Sequence, residues 1–348
     1  LLPYASYVAR AVFLHSLAFN DQLRGASRDQ VRYSVLSPDT DISFIDDAMT
    51  RFQQESAYLD DRPSVPLRFQ AEANLTQIIR RQEAQVDPTE VRNHLVDEIR
   101  RLFKGDTLNT IAFPAGPYEV PDDDGNGRPY LVIIGFDAAE IQGDVLEVPE
   151  LVGTIYQTHG SGGDLRKNRN NVVFLVADAS RKAEMRHKME RRLALQDLRR
   201  PERLNELAPH QQEEMRSRAH RSEQDVAVAI QQTYRHILFP SRAKLETTDL
   251  DLGHTSLEVP AASEAPGAGQ KQVVEKLREN NKLRVAEDDP DSPTYIRDRT
   301  PLKKGYMTTA ALRTEFRRDP ALPMLVTDDP FIRAVRMGIE RGENVYQR

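Results

Sequence analysis

The sequence predicts an α/β plus α protein: a winged-helix-like N-terminal module, a central α/β domain with a mainly parallel sheet, and a C-terminal helical or winged-helix-like module. Three observations carry that prediction. Val172–Ala177 is an unbroken apolar run rich in β-branched residues, the pattern of a strand buried on both faces. Strand-like runs at Leu108–Phe113 and Tyr130–Ile134 alternate with helix-like runs at Pro149–Thr158 and Ser180–Leu198, which implies parallel strands joined by helical crossovers. The first 70 or so residues offer three helical patterns and then two short apolar segments around a turn.

In chain order, Val8, Val12, Leu14 and Leu17 recur near helical spacing and predict a helix over Ala5–Asn20. Ser27 is placed to cap Arg28–Leu36, and Asp41 to cap a helix running to about Gln54. Ala57–Leu59 and Leu67–Phe69 flank Asp60-Asp61-Arg62-Pro63-Ser64, which carries turn chemistry. Three helices and then a hairpin is the order of a winged helix, a fold that often enters DNA with its third helix. Here the third helix is acidic and holds one Arg, so packing against other domains is the expected role.

Further helices are predicted at Asn74–Arg81 and Pro88–Phe103. Pro209–Phe239 is predicted as one long helix stopped by Pro240. Ala261–Gln270 has a linker's composition, and helices follow at Lys271–Asn280, Thr308–Arg317 and Pro330–Arg341, with a terminal strand at Asn344–Tyr346. The expected division is 1–84, a winged-helix-like module; 85–206, the α/β domain; 207–240, a connecting helix; 241–270, a linker; and 271–348, a C-terminal helical module.

Charge is unevenly spread. Arg166 to Arg200 holds 11 Lys/Arg against 4 Asp/Glu, a balance of +7, while the 348-residue chain totals -6. The rest therefore carries -13, and localised positive charge points to an anionic partner. Within that stretch Arg166, Lys167 and Arg169 follow Gly160, Gly162 and Gly163, so they are candidates for an anion- or nucleic-acid-contacting loop. Asp137 and Asp178 stand at predicted strand ends, where α/β folds place ligands, with helix capping as the plainer role.

Other chemistry is argued against by spacing. The chain has no Cys, which removes disulfides and thiolate sites and suits a cytoplasmic protein. Gly160–Lys167 and Gly267–Lys271 both break the spacing of a phosphate-cradling loop, so no nucleotide-binding loop is expected here. Asp122–Gly127 starts like a calcium loop, but its twelfth position is Ile133 rather than a Glu, and an acidic turn is expected instead. The eight His show no metal spacing, with His187 and His236 expected on helices, and Ser161 lacks a nucleophile-elbow context. No metal site and no catalytic residue is expected in this chain. No apolar run reaches the ~18 residues of a membrane span. The start lacks a Met and enters a helix almost at once, the expectation for a fragment of a longer polypeptide.

Phe13-Leu14-His15-Ser16-Leu17, the pattern Tyr58-Leu59, Arg68-Phe69, Asn74-Leu75, Ile78-Ile79, then Asn170 through Asp178 and Tyr234-Arg235-His236, resemble a family of large prokaryotic AAA-type P-loop ATP-binding proteins. These carry a domain of unknown function and are often encoded in phage-defence islands. The resemblance spans most of the chain, and none of its motifs is catalytic. It implies a non-catalytic C-terminal region whose parent binds ATP and Mg upstream, forms an oligomer, and acts with DNA and other subunits of a defence system. The alternatives are a nucleic-acid-binding module or a protein scaffold without ATPase activity.

Overall fold

A computed structural model describes residues 3–18, 23–38, 41–60, 65–70, 74–123, 125, 127–142, 147–243, 245–258 and 263–347. The protein is mixed α/β with a six-stranded mixed sheet. It divides into two compact units, residues 1–91 with 190–222, and residues 92–189 with 223–348.

The first unit opens with helices α1 (Pro3–Ser16), α2 (Arg28–Val35) and α3 (Ile42–Glu55). Their starts follow local chemistry. The Ser27 hydroxyl accepts from Gln30 N while the Gln30 side chain accepts from Ser27 N, a reciprocal capping box, and Asp41 accepts from Ser43 N. Val8, Val12, Val31, Ile45 and Met49 pack into one fully buried cluster. Leu67 bridges antiparallel to Ala26, and Leu59 to Phe69, which ties the segments after α3 back onto the helices. Residues 61–64 of the expected turn lie outside the described residues. Asn74 caps α4 (Leu75–Glu83) and also donates to Leu59 O.

Helix α5 (Pro88–Phe103) leads to β1 (Asn109–Ala112), β2 (Tyr130–Ile133) and the two-residue β3 (Glu140–Ile141). Helix α6 (Glu150–Gln157) is followed by the hairpin β4 (Thr158–His159) and β5 (Asp164–Leu165). The Gly-rich segment is this hairpin's tip, and Gly160 and Gly163 take the positive φ values it requires, 68° and 71°. Next come β6 (Val172–Asp178) and α7 (Lys182–Leu198). β1, β2 and β6 pair parallel, and β3 adds parallel to the end of β6. Val172, Phe174 and Val176 join one buried cluster with α6, so by alternation Val173, Leu175 and Ala177 face the other side.

The expected long helix is shorter than its sequence pattern. Helix α8 (Pro201–Leu204) precedes α9 (Pro209–Thr233), and His236–Pro240 is then a strand, β7, antiparallel to β6. β8 (Leu252–Ser256) pairs antiparallel to β7, inside the stretch expected to be a linker. The sheet is therefore mixed, in the order β1-β2-β6-β7-β8. In the first unit, Leu75, Ile79, Leu195, Met215 and Ala219 form a second cluster.

The linker reading of 261–270 is also corrected. Residues 261 and 262 lie outside the described residues. Helix α10 (Ala268–Glu279) starts within the stretch, and Gln270 is buried, its amide bonded to Phe103 O, Leu108 O and Thr110 Oγ1. The small residues serve close approach: a Cβ on Gly269 would sit 2.5 Å from the Phe103 ring. The remaining elements are β9 (Leu283–Arg284), α11 (Pro293–Arg299), α12 (Thr309–Arg318), β10 (Met324–Leu325) and α13 (Asp329–Glu340). β9 and β10 pair parallel, which is not a wing hairpin, and Asn344–Tyr346 is not a strand. No helix among the described residues is long and apolar enough to cross a membrane.

Candidate functional site

Both strand-end aspartates lie at the carboxyl ends of parallel strands, Asp137 beyond β2 and Asp178 as the last residue of β6, and each is committed to protein partners. Asp137, beyond β2, receives Arg92 Nε of α5 on Oδ2 and Arg186 Nη2 of α7 on Oδ1, each at 2.8 Å. Both carboxylate oxygens therefore hold helices against the sheet edge. Asp178 ends β6 and accepts from Ser180 N at 2.9 Å and Ser180 Oγ at 2.7 Å, capping the 3-10 turn that leads into α7. Burial disfavours the Asp178 carboxylate, but the Ser180 hydrogen bonds and the nearby His236 and Arg235 outweigh it and hold the carboxyl below the usual range.

Asp178 belongs to a polar chain that spacing along the sequence does not reveal. Its Oδ2 lies 3.6 Å from His236 Nε2, and His236 Nδ1 lies 3.0 Å from His254 Nε2. The register explains the meeting. Leu238 pairs with His254, and His236 is two residues from Leu238 on the same face of β7. His236 was expected on a helix, and His254 carried no local signal. Burial pushes both imidazoles down, His254 to about 4 with the neighbouring His236 adding to the effect, while Asp178 pulls His236 back up. Arranged this way the residues join the ends of β6, β7 and β8.

The titration has a defined sign. The folded chain binds fewer protons here than the unfolded chain, whose histidines titrate near 6.5. Stability is thus full above pH 6.5 and falls as pH drops toward 4. His254→Asn is expected to flatten that decline by roughly 2 kcal/mol, discounted for partial exposure. Urea denaturation of both proteins at pH 4.5 and 7.5 checks it, and parallel declines count against the assignment.

The three basic candidates do not converge. Arg166 is 2% exposed, and its guanidinium donates to Ile155 O, Pro121 O and Val120 O at 2.8–2.9 Å. Its donors are spent on the main chain, so the anion-contact role expected for it is replaced by a structural one. Lys167 is exposed, and Arg169 is half-buried with an Nε that lacks a hydrogen-bond partner. Arg166→Ala is expected to cost about 3 kcal/mol by orphaning three carbonyls, and Lys167→Ala under about 0.5 kcal/mol. Equal melting temperatures for the two variants would contradict this.

The basic character of 166–200 is also partly balanced in three dimensions. In the second unit Lys182 pairs with Glu140, Arg186 with Asp137, and Lys188 with Glu184 and Asp225. In the first unit Arg191 pairs with Glu83 and Arg200 with Asp197. Glu184 and Asp197 lie within the stretch, while Glu140, Asp137, Asp225 and Glu83 come from outside it, so these four reduce the local surplus of +7 without cancelling it.

Asp122 accepts from Lys167 N and Asn168 N, and Asp123 from Gly125 N, which is turn chemistry; residues 124 and 126 lie outside the described residues. Among the described residues no group of three His, Cys, Asp or Glu is placed to hold a metal ion. Comparison with protein-family models, with curated proteins and with solved structures gives no match.

Proposed function

We propose that this chain is the non-catalytic C-terminal part of a prokaryotic AAA-type ATP-binding protein that acts with DNA in phage defence, and that its first unit is a winged-helix-like module packing against the ATP-binding portion of the parent. The observation that carries the packing role is the exposed apolar surface of the first unit. Of 17 large hydrophobics exposed among the described residues, ten lie between Tyr7 and Tyr58, so the apolar surface is concentrated in one module. A groove of about 640 Å3 between α1 and α2 is lined by Tyr4, Tyr7, Ala11, Leu14 and Val35 together with the polar Arg10, His15, Ser34 and Ser37. Apolar surface gathered in this way marks a protein interface. The helix order, with segments bridged back to Ala26, supports the winged-helix reading.

Reading the gene upstream of the codon for Leu1 tests the parent. A G-x-x-x-x-G-K-[ST] motif in the same frame supports the proposal, and a frame without one overturns it. In that parent, Tyr7→Glu/Leu14→Glu is expected to weaken assembly or ATP turnover while the circular dichroism of the isolated chain is unchanged.

A further inference from the structure

We infer that the segment from Arg299 to Tyr306 is a binding site for single-stranded nucleic acid, with Lys303 and Lys304 contacting phosphates and Tyr306 stacking on a base. The inference is independent of whether the chain belongs to an ATPase.

The positive charge here differs in kind from that of α7. Arg299, Lys303 and Lys304 are exposed, and none of the three forms a described ion pair. No Asp or Glu occurs from Arg299 through Thr314. Three exposed cations thus fall in six residues, and the acid beside them, Asp298, pairs with Arg297, on a chain whose net charge is -6. Phosphate can neutralise such a cluster and release counterions, which favours binding.

The aromatic component is equally distinct. Tyr306 is 95% exposed, so its ring packs against almost nothing in the folded chain. It follows Gly305, whose φ of 146° takes the backbone where a side chain rarely goes as the chain leaves the 3-10 turn Pro301–Lys304. Beside it in sequence, the Arg299 guanidinium lies 4.6 Å from the Tyr295 ring centroid, a planar cation already stacked at the surface. An exposed ring next to lysines can hold a single strand without sequence preference, because every base offers a π-face. A duplex keeps its bases stacked inside and offers such a ring no face, so the pattern favours single strands.

Fluorescence anisotropy with a labelled 20-mer of deoxythymidylate and a 20-base-pair duplex, at 50 and 200 mM NaCl, tests this on the whole chain. Binding of the single strand in the micromolar range is expected at the lower salt. Lys303→Glu/Lys304→Glu should weaken it more than tenfold and flatten the log–log salt slope by about 1.4, from ~0.7 per phosphate. Tyr306→Ala should weaken it by five- to a hundredfold with the slope unchanged, and should spare any duplex binding. Lys271→Glu, which alters an exposed lysine on α10, should change nothing. Absence of single-strand binding, or equal loss with Lys271→Glu, overturns the site. So does loop-dependent binding to vesicles with 30% phosphatidylserine in place of the oligonucleotide, which would make it a lipid-headgroup surface.

Discussion

Asn170→Ala is expected to destabilise the second unit by about 4 kcal/mol. Asn170 lies just before β6, is fully buried, and acts as a three-way connector. Its Nδ2 donates to Phe316 O at 2.8 Å and Leu322 O at 3.0 Å, and its Oδ1 accepts from Lys282 Nζ at 2.6 Å. Lys282 is 6% exposed and also donates to Pro320 O and Leu322 O. Burial pushes its ammonium down to about 7, against the pull of Asp319, so the three acceptors are what make its charge tolerable there. Removing Asn170 orphans the Phe316 carbonyl, at about 1–3 kcal/mol, leaves Leu322 O with Lys282 alone, and takes an acceptor from a buried cation. Those costs exceed the small cavity left behind. Urea denaturation at pH 7 measures the loss, with Asn93→Ala, an exposed asparagine on α5, as the neutral comparison. A loss under about 1 kcal/mol would show that the connector is dispensable.

What the sequence disclosed and what it hid separate along one physical line, the range of the interaction. Helix starts at Ser27, Asp41 and Asn74, and the turn after Asp178, depend on a side chain reaching an amide two or three residues on, and each was legible. Val172–Ala177 was legible because burial on both faces leaves no polar position. β7 was hidden because Val226, Ile230, Tyr234 and Ile237 continue a helical rhythm through the end of α9. Only pairing with β6 and β8 makes His236–Pro240 a strand. Arg166 misled for the same reason. Its charge suggested solvent, while the carbonyls that hold it, at Val120 and Pro121, are about 45 residues away. The balancing acids of α7, among them Asp137, Glu140 and Glu83, are similarly remote. Gly269 falls in a stretch with a linker's composition, yet its lack of a side chain is what lets α10 approach Phe103. The candidate site was the least legible part, since His236 and His254 meet only through strand register.

Val173→Asp is expected to cost at least about 4 kcal/mol at pH 8, the largest effect of any single change considered. Val173 is fully buried, and its strand has β2 on one side and β7 on the other, with Leu131 as its register partner. A carboxylate at this point loses its water and gains no cation, which costs several kcal/mol, and the valine packing is lost as well. The chain can soften the penalty only by keeping the new carboxyl protonated. Its folded-state pKa would then lie above the ordinary ~3.9, so the folded form would bind a proton that the unfolded form releases. The penalty should therefore grow as pH rises through that range and shrink toward acid. Measured against the unmodified protein at the same pH, the deficit should be smaller at pH 5 than at pH 8. Val173→Ala supplies the packing loss alone, about 2 kcal/mol, and should show no such pH dependence. If Val173→Asp and Val173→Ala unfold at the same urea concentration at pH 8, the position is reached by water and β6 is not the centre of the core.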